Sequence, residues 1–282
     1  MSNLPTNVQE LDVNQLAALM SAQSKESSKS SEETNDLFPL LRINHQEEDD
    51  DGNELKKGVF FVQGPDIPAV YAKEVNFRVL GDFMQYLHYD SDQQAVVNRT
   101  VITMTGDYNA EPIDETGTMR CGRPNGKAFH ALPDAEKKKY TGITCFRYLY
   151  GIVSYKGETA DGQEAEIPAT PCLFRVKGAS FLNFSKEVID PSNAKDVPFT
   201  NVNTTLFTER KRNGGVTYFT SHFKPDFKNT VELSMEDGDV MKHILTLIQG
   251  VNAEVRRKYD AALQGTASNA KDAELVDVVA EG

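Results

Sequence analysis

The sequence predicts a mainly β fold of the α+β class, in which an antiparallel β-barrel is followed by one long C-terminal helix. Between Cys145 and Lys224, three segments are rich in aromatic and β-branched residues and are broken by Gly, Pro or Asn, as is typical of strands. Between Asp239 and Leu263, apolar residues recur every three or four positions, as on one face of a helix. A Ser-, Glu- and Lys-rich stretch from Ser21 is too polar to fold alone, which predicts a disordered N-terminal segment.

The composition fits a soluble globular protein and opposes both a membrane protein and a secreted, disulfide-rich protein. Of the 282 residues, 39% are hydrophobic and 26% charged, which is enough for one large domain with some disordered length. No apolar run approaches the roughly 20 residues of a membrane helix, and the polar N-terminus predicts no secretion signal. Three widely spaced cysteines oppose a disulfide scaffold and favour a reducing compartment. We therefore expect a cytoplasmic protein, in the host cytoplasm if the gene is viral.

Acidic residues are concentrated at the two ends of the chain. The formal net charge of −12 at first opposes binding to nucleic acid. Residues 1–54 hold 3 basic and 12 acidic side chains, and residues 225–282 hold 6 and 11. Residues 144–224, which contain the three strand segments, hold 10 basic and 8 acidic side chains. Such segregation is common in interaction proteins, although solubility alone would also explain it.

The chain divides into three parts. We expect residues 1–36 to be disordered, residues 37–265 to form a single OB-like β-barrel domain that includes the C-terminal helix, and residues 266–282 to form a flexible acidic tail. A short amphipathic helix could form in the first part on five apolar residues: Val8, Leu11, Leu16, Leu19 and Met20. That helix either docks on a partner or is an idle chain end.

The domain is expected to begin with a β-hairpin. The segments LFPLLRINH and GVFFVQG flank an acidic turn that contains Asp51-Gly52, a good hairpin signal. Glu47, Asp49 and Asp51 have the offsets of a calcium loop, but Gly58 stands where the closing bidentate Glu is required. The acidic run therefore predicts a solvated hairpin tip rather than a calcium site.

Alternation along the strand that starts at Pro171 separates two faces. Cys172, Phe174 and Val176 share one face, whose composition predicts that it is buried in the core. Arg175 and Lys177 share the other face with a leucine, so this face presents two cations beside an apolar residue. A groove that follows a phosphate backbone requires that combination.

The strand that starts at Cys145 is apolar or aromatic on both sides. Arg147 and Tyr155 fall on one face, and Phe146, Tyr148 and Tyr150 fall on the other. One of these faces has to pack in the core, and the sequence leaves open which one it is.

The third segment predicts a hairpin with a basic tip. Asn213-Gly214 is typical of a type I′ turn, which would pair Arg212 with Gly215 and Lys211 with Val216. Together with Arg210, these cations would lie near a protruding end. A basic tip of this kind can clamp a nucleic-acid strand, or it can protect a strand edge from aggregation.

We found no motif that predicts a metal site or an enzyme. Four residues could be assembled into a zinc site, although without the paired spacing of known ones: Cys121, His130, Cys145 and Cys172. Ordinary buried or loop thiols explain them better, and a zinc-dependent or other enzyme with an unrecognised site is kept only as a third alternative. No nucleophile elbow and no acid–base pair can be recognised. We therefore expect a protein that is not an enzyme and that has neither a metal nor another cofactor.

Aromatic and basic residues alternate along the central strands, as they do on surfaces that bind single-stranded nucleic acid. Every base has a π-face, so aromatic rings can hold bases with little regard to sequence, and Lys and Arg neutralise phosphates. A short curved barrel of the OB type displays both on one concave face. The candidates for phosphate contacts are Arg147, Arg175, Lys177, Arg210, Lys211 and Arg212, and those for base stacking are Tyr148, Tyr150, Tyr155 and Phe219.

The order of these features resembles that of the single-stranded DNA-binding proteins of tailed bacteriophages. The resemblance rests on CLFRVKGASF, TLFTERKRNGGVTYF, YFTSHFKPDF and a helix with NAEVRRKYDAAL before the tail. It implies an OB-fold that binds single-stranded DNA during replication or recombination. It also implies an acidic C-terminus that recruits replication proteins and competes with DNA, although this tail is only weakly acidic and lacks a terminal aromatic residue.

A second class of protein is compatible with the same pattern. Strands rich in β-branched residues and a disordered N-terminus also occur in viral structural or assembly proteins. In that alternative the fold is a β-sandwich, and the N-terminal segment with its short helix makes contacts between subunits. A particle-bound protein and a DNA-bound protein would be separated by whether the chain binds oligonucleotides in a salt-dependent way.

Overall fold

A mixed sheet of nine strands forms the body of the protein in the computed structural model, which describes residues 38–48, 52, 54–106, 113–117 and 126–279. The order across the sheet is β2-β1-β7-β6-β3-β8-β9, and β4 and β5 pair with the far part of β3. The pair β1–β7 is parallel and the others are antiparallel. The strands are β1 Leu40–Ile43, β2 Phe60–Gln63, β3 Glu74–Asp90, β4 Ala95–Arg99, β5 Thr103–Met104, β6 Ile143–Glu158, β7 Glu164–Val176, β8 Val202–Asn213 and β9 Val216–Thr230.

The helices follow the strands in three places. They are α1 Gly126–Ala131, α2 Asp134–Lys137, α3 Gly178–Phe184, α4 Asp190–Lys195 and α5 Met235–Val279. A π-helical turn over Ser185–Ile189 joins α3 to α4. Among the helices of the described residues, none combines the length and the apolar composition that a membrane crossing requires. The prediction of a mainly β fold with a C-terminal helix is confirmed.

The sheet curls but is not closed into a barrel by strand pairing. No ladder among the described strands joins β2 to β9, the two ends of the order. Side chains span the gap instead, since the Thr208 hydroxyl donates to the Gly58 carbonyl at 2.5 Å. The curvature has a local cause, because register shifts in β3 between Val79 and Gly81 and in β6 between Val153 and Tyr155 bend both strands.

Two hydrophobic clusters lie on opposite faces of this curled sheet. The inner cluster contains Phe77, Leu149 and Phe174 and is covered by the segment from α3 to α4. The outer cluster contains Phe83 and Tyr150 and is covered by α5, whose buried residues there are Met241, Ile244, Leu245 and Ile248. Both faces of β6 are therefore buried along most of its length, which strand alternation alone did not reveal.

Helix α5 starts with a reciprocal cap. The Ser234 hydroxyl accepts from the Asp237 amide at 3.2 Å, and the Asp237 carboxylate accepts from the Ser234 amide at 2.8 Å. The capping residue is therefore Ser234, and Asp237 is its partner three residues later. The helix also continues past Gly265 to Val279, into the stretch for which a flexible tail was expected.

The segment after β7 is helical, so the long strand predicted from Pro171 ends at Val176. This helix α3 and the π turn lie along the outer edge of β9. Ser180 Oγ accepts from the Ser221 amide at 2.9 Å, and Glu187 accepts from the Phe223 amide at 2.7 Å. Asn183 Nδ2 donates to the Ser221 carbonyl at 2.9 Å. Side chains thus take the place of a neighbouring strand along this edge.

The hairpin of β8 and β9 turns one residue later than the sequence predicted. Asn213 pairs with Val216 and Lys211 pairs with Tyr218, so the two turn residues are Gly214 and Gly215. Gly214 has a φ of 59° and Asn213 does not have a positive φ. A positive φ at the first turn position alone fits a type II′ turn, for which Gly at that position is the usual residue.

Some predictions concern residues outside the described part of the chain. These are the disordered segment of residues 1–36 with its short helix, and Asp49 and Asp51 of the acidic run. The hairpin that was expected to flank this run is present, since β1 pairs with β2 in an antiparallel register from Leu40–Gln63 to Ile43–Phe60.

Candidate nucleic-acid interface

Two arginines stand side by side on the parallel strands β1 and β7. Leu40 is paired with Leu173 and Leu41 with Phe174, so Arg42 is in step with Arg175. Both side chains are exposed, and neither makes a salt bridge with the described residues. We call this pair the arginine ridge. Two adjacent like charges without a carboxylate are unfavourable unless solvent or an anionic ligand screens them.

A cleft of about 690 Å³ lies between the ends of β1 and β7 and the β9 strand of the hairpin. It contains the arginine ridge, Lys177, His45 and four Phe or Tyr rings, which belong to Phe146, Phe174, Tyr218 and Phe219. No Asp or Glu lines it among the described residues, although the whole chain carries a net charge of −12. Its lining consists of Leu40, Leu41, Arg42, Ile43, His45, Leu87, Val96, Phe146, Leu173, Phe174, Arg175, Val176, Lys177, Gly178, Ala179, Ser180, Tyr218, Phe219, Thr220 and Ser221.

A second cleft of about 430 Å³ adjoins the first and shares the arginine ridge with it. It continues along β1 toward Phe38 and is bounded by Gln63, Tyr150 and Leu247 of α5. We call the two clefts together the groove. At about 3.3 Å per residue, the chain from Phe38 to His45 gives the groove a length of roughly 20–25 Å. The groove is thus an elongated site with its cations near the middle.

Lys177 is held beside an aromatic ring rather than beside an acid. Its Nζ lies 5.4 Å from the centre of the Phe146 ring, a distance at which the ring face attracts a cation. Lys177 itself is exposed and Phe146 is half-buried. The pair therefore presents a positive charge and a flat apolar surface at the same place in the groove.

Four of the residues predicted from the sequence line the groove: Arg175, Lys177 and Phe219 in the larger cleft, and Tyr150 in the second cleft. The two basic side chains are exposed, as their position opposite the core face of β7 predicted. Phe219 is half-buried and its ring centre lies 6.0 Å from that of His45. One edge of the Phe219 ring is therefore fixed by packing while the residue still lines the cleft.

The three cations of the hairpin are all exposed but lie on two different faces. Arg210 pairs with Phe219 and Arg212 with Thr217, and cross-strand partners point to the same side of a sheet. Both arginines thus share the face of Phe219. Lys211 lies on the opposite face, where its Nζ is 2.5 Å from a Glu209 carboxylate oxygen. Lys211 shares its face with Tyr218 and is neutralised by Glu209, whereas neither arginine makes a salt bridge with the described residues.

Arg147 is not a surface cation, so its prediction as a phosphate contact is wrong. Its side chain is 1% exposed and binds the Asp82 carboxylate through Nε at 2.7 Å and Nη2 at 2.5 Å. Nη1 donates to the Phe181 carbonyl at 2.9 Å and to the Ser185 hydroxyl at 2.7 Å. The guanidinium thus fastens the segment of α3 and the π turn to β6, and four of its five N–H donors are used within the protein.

The three tyrosines predicted to stack on bases are buried as well, and this prediction is wrong. Tyr148, Tyr150 and Tyr155 are 5%, 3% and 6% exposed, because α5 covers one face of β6 and the inner cluster fills the other. The Tyr155 hydroxyl donates to the Val70 carbonyl at 2.9 Å, and the Tyr148 hydroxyl donates to Gln85 at 2.7 Å. Burial raises the pKa of all three phenols, that of Tyr155 to about 12.

The four residues of the hypothetical zinc site do not meet in the described part of the chain. Cys172 is completely buried in the inner cluster, and burial raises the pKa of its thiol. Cys145 is half-buried on β6, His130 is exposed, and Cys121 lies outside the described residues. No group of three metal-ligating side chains occurs among the residues that the structure describes.

Several residues of the groove were not among the candidates chosen from the sequence, among them Arg42, His45, Phe146, Tyr218 and Ser221. The signal for Arg42 was present, since it is the one polar residue within the apolar run LLRI of β1. The parallel pairing that places Arg42 beside Arg175 joins residues more than 130 positions apart, and no local pattern indicates such a pairing.

Comparison of the chain with protein-family models, with curated protein sequences and with solved structures gives no significant match. The functional conclusion therefore depends on the groove itself.

Proposed function

We propose that this protein binds single-stranded DNA along the groove, with little dependence on base sequence. The observation that carries the proposal is the lining of the groove. Arg42, Arg175 and Lys177 lie there with the rings of Phe146, Tyr218 and Phe219, and the described lining contains no carboxylate. In a chain with a net charge of −12, a surface of this kind favours a polyanion that carries flat apolar groups.

The chemistry of the groove matches the two parts of a nucleotide. The cations can neutralise phosphates and release counterions, which lowers affinity as salt rises. The rings can stack on bases, at roughly 1–3 kcal/mol for each base. Single strands fit better than a duplex, because rings that lie within a cleft can reach only bases that are not stacked in a helix.

The fold supports the same proposal in a general way. A curled, mostly antiparallel sheet with a cationic, aromatic groove can display the same groups that an OB-like barrel displays on its concave face, which supports the proposal. The role in phage DNA replication or recombination, with replication proteins as partners of the acidic tail, belongs to the proposal through the resemblance in sequence alone.

The test is a titration of a fluorescent 20-nucleotide oligo-dT with the full chain, followed by anisotropy between about 50 and 300 mM salt. Five cations face the groove or its extension, namely Arg42, Arg175, Lys177, Arg210 and Arg212. If all five contact phosphates, the slope of log K against log salt is about −3.5, since each phosphate contact on a single strand contributes about −0.7. Absence of binding, or binding that salt does not weaken, would refute the proposal.

A double variant locates the site. R42A/R175A removes the arginine ridge. The slope of log K against log salt should become less negative by about 1.4, and affinity should fall at every salt concentration. The control is K156A, because Lys156 is an exposed cation on β6 that lies outside both clefts, where its Nζ is 3.7 Å from a Glu166 carboxylate oxygen. If K156A weakens binding as much as R42A/R175A, binding is a property of general charge and not of the groove.

A further inference from the structure

We propose that one base of the bound strand enters the larger cleft and forms a hydrogen bond with the Ser221 hydroxyl, which gives that single position a base preference. This inference rests on the proposed function and names the part of the site that reads a base. Ser221 lines the cleft and is 1% exposed. Its Oγ has no hydrogen-bond partner among the described residues, which is rare for a buried hydroxyl.

The backbone amide and carbonyl of Ser221 are both hydrogen-bonded, and these bonds fix the position of the residue. The Ser221 amide donates to Ser180 Oγ at 2.9 Å, and its carbonyl accepts from Asn183 Nδ2 at 2.9 Å. Alternation along β9 places its side chain on the same face as that of Phe219. Ser180 and Asn183, which belong to α3, thus fix the backbone of Ser221 and leave its side-chain hydroxyl without a hydrogen bond.

The surroundings of Ser221 suit a base and not a phosphate. On the side of the inner cluster, to which Phe223 also belongs, the cleft is lined by the apolar residues Ile43, Phe174 and Val176 and by the Phe219 ring. The cations lie on the exposed face of β1 and β7, where a phosphate keeps much of its hydration. A charged phosphate on the side of the inner cluster would lose its water without gaining a cation, which is unfavourable. A neutral base loses much less.

A hydroxyl that lies below the cleft surface can be reached only by a group that enters the cleft. A base that stacks across the mouth would leave the hydroxyl unpaired, whereas an inserted base presents its hydrogen-bonding edge to it. A serine hydroxyl both donates and accepts, so it can pair with several edges, and the discrimination between bases should be modest. One neutral hydrogen bond corresponds to about a three- to tenfold change in affinity.

The experiment is a double-mutant cycle between the protein and the DNA. Oligo-dT molecules with one abasic site at successive positions are titrated with the wild-type chain and with S221A. We expect one position at which the abasic site weakens wild-type binding about three- to tenfold more than it weakens S221A binding. The salt dependence should be the same for both proteins, since no cation has changed.

Ser192 provides a matched control. Its Oγ is also buried and without a partner among the described residues, but it lies in α4 and lines neither cleft. S221A and S192A should both raise the melting temperature of the free protein slightly, because each removes an unpaired hydroxyl. Only S221A should show coupling to a base.

The outcomes separate the two proposals. Salt-dependent binding by the wild type, with no coupling between Ser221 and any base, would overturn the inserted base and leave the DNA-binding groove intact. Equal coupling in S192A would also overturn it. If the wild-type chain does not bind oligo-dT, both proposals fail together.

Discussion

Gly58 and Phe219 are in direct contact across the open side of the sheet, so closely that a methyl group placed on Gly58 would overlap the Phe219 ring. Gly58 precedes β2, and Phe219 belongs to β9, so this contact joins the two ends of the strand order. Gly58 also has a φ of 78°, which L side chains rarely adopt. The position therefore requires glycine for two reasons, the backbone conformation and the space that the ring occupies.

We expect G58A to destabilise the fold and to weaken DNA binding, because the ring that lines the groove has to move. Gly162 isolates the backbone part, since its φ is 83° and a methyl group placed there would meet no atom within 4 Å. G162A should cost about 1 kcal/mol from strain alone, and G58A should cost about 1–3 kcal/mol more from overpacking. Urea unfolding measures both. Equal losses of unfolding free energy in the two variants would show that the Phe219 ring can move aside without destabilising the fold.

Removal of Arg147 should destabilise the protein without acting on DNA contacts directly. R147A leaves the Asp82 carboxylate buried without its cation, which typically costs about 3–5 kcal/mol. The control is R257A, since Arg257 pairs with Glu254 at 2.7 Å on the exposed face of α5, where the effect on stability should be small. A stable R147A protein with a reduced salt dependence of binding would restore Arg147 as a phosphate contact.

The hairpin cations should differ in their contribution to binding. R210A and R212A each remove a charge on the face of Phe219, so each should lower the steepness of the salt dependence by about 0.7. K211A removes a charge that is already paired with Glu209, so it should change binding much less. Anisotropy titrations of the three variants at several salt concentrations provide the measurement. Identical effects of all three would mean that the hairpin acts through net charge alone.

Alkaline pH should destabilise the fold through the buried tyrosines. An unfolded tyrosine ionises near pH 10, whereas burial raises the folded pKa of Tyr155 to about 12. The protonated form is therefore favoured by folding, so this contribution is complete below pH 10 and is lost as pH rises toward 12. Urea unfolding between pH 8 and 12, with tyrosinate absorbance, follows the loss.

The variant Y155F shows how much of this loss of stability at alkaline pH is due to Tyr155. It should be less stable than the wild type at pH 8, because the hydroxyl donates to Val70 and accepts from the Val62 amide at 3.1 Å. Its stability should fall less steeply above pH 10. Parallel curves for the two proteins between pH 10 and 12 would contradict the assignment.

The sequence predicted one side of the groove because strand alternation is a local property. The core face of β7, with Phe174, also determined that Arg175 and Lys177 are exposed. The same reasoning failed on β6, because α5 and the inner cluster bury both of its faces and alternation then carries no information about exposure. Tyr148 and Tyr150 were therefore chosen for stacking although they belong to the core.

Long-range pairing explains the remaining differences. The partner of Arg147 is Asp82, 65 positions earlier, and nothing local in either strand indicates the pair. Only the parallel register of β1 and β7 places Arg42 beside Arg175. The hairpin turn was displaced by one residue because two glycines follow Asn213, and the backbone placed its positive φ on the first of them. Local signals gave the elements, whereas contacts between distant strands decided which side chains reach solvent.

The side chains that α3 and the π turn place along β9 also bear on how copies of the protein meet. A bare edge strand invites another sheet to join it, and the amides of Ser221 and Phe223 are here satisfied from within the same chain. In the proposed DNA complex, neighbouring molecules would therefore not pair their sheets at Ser221 and Phe223, and would have to touch through other surfaces.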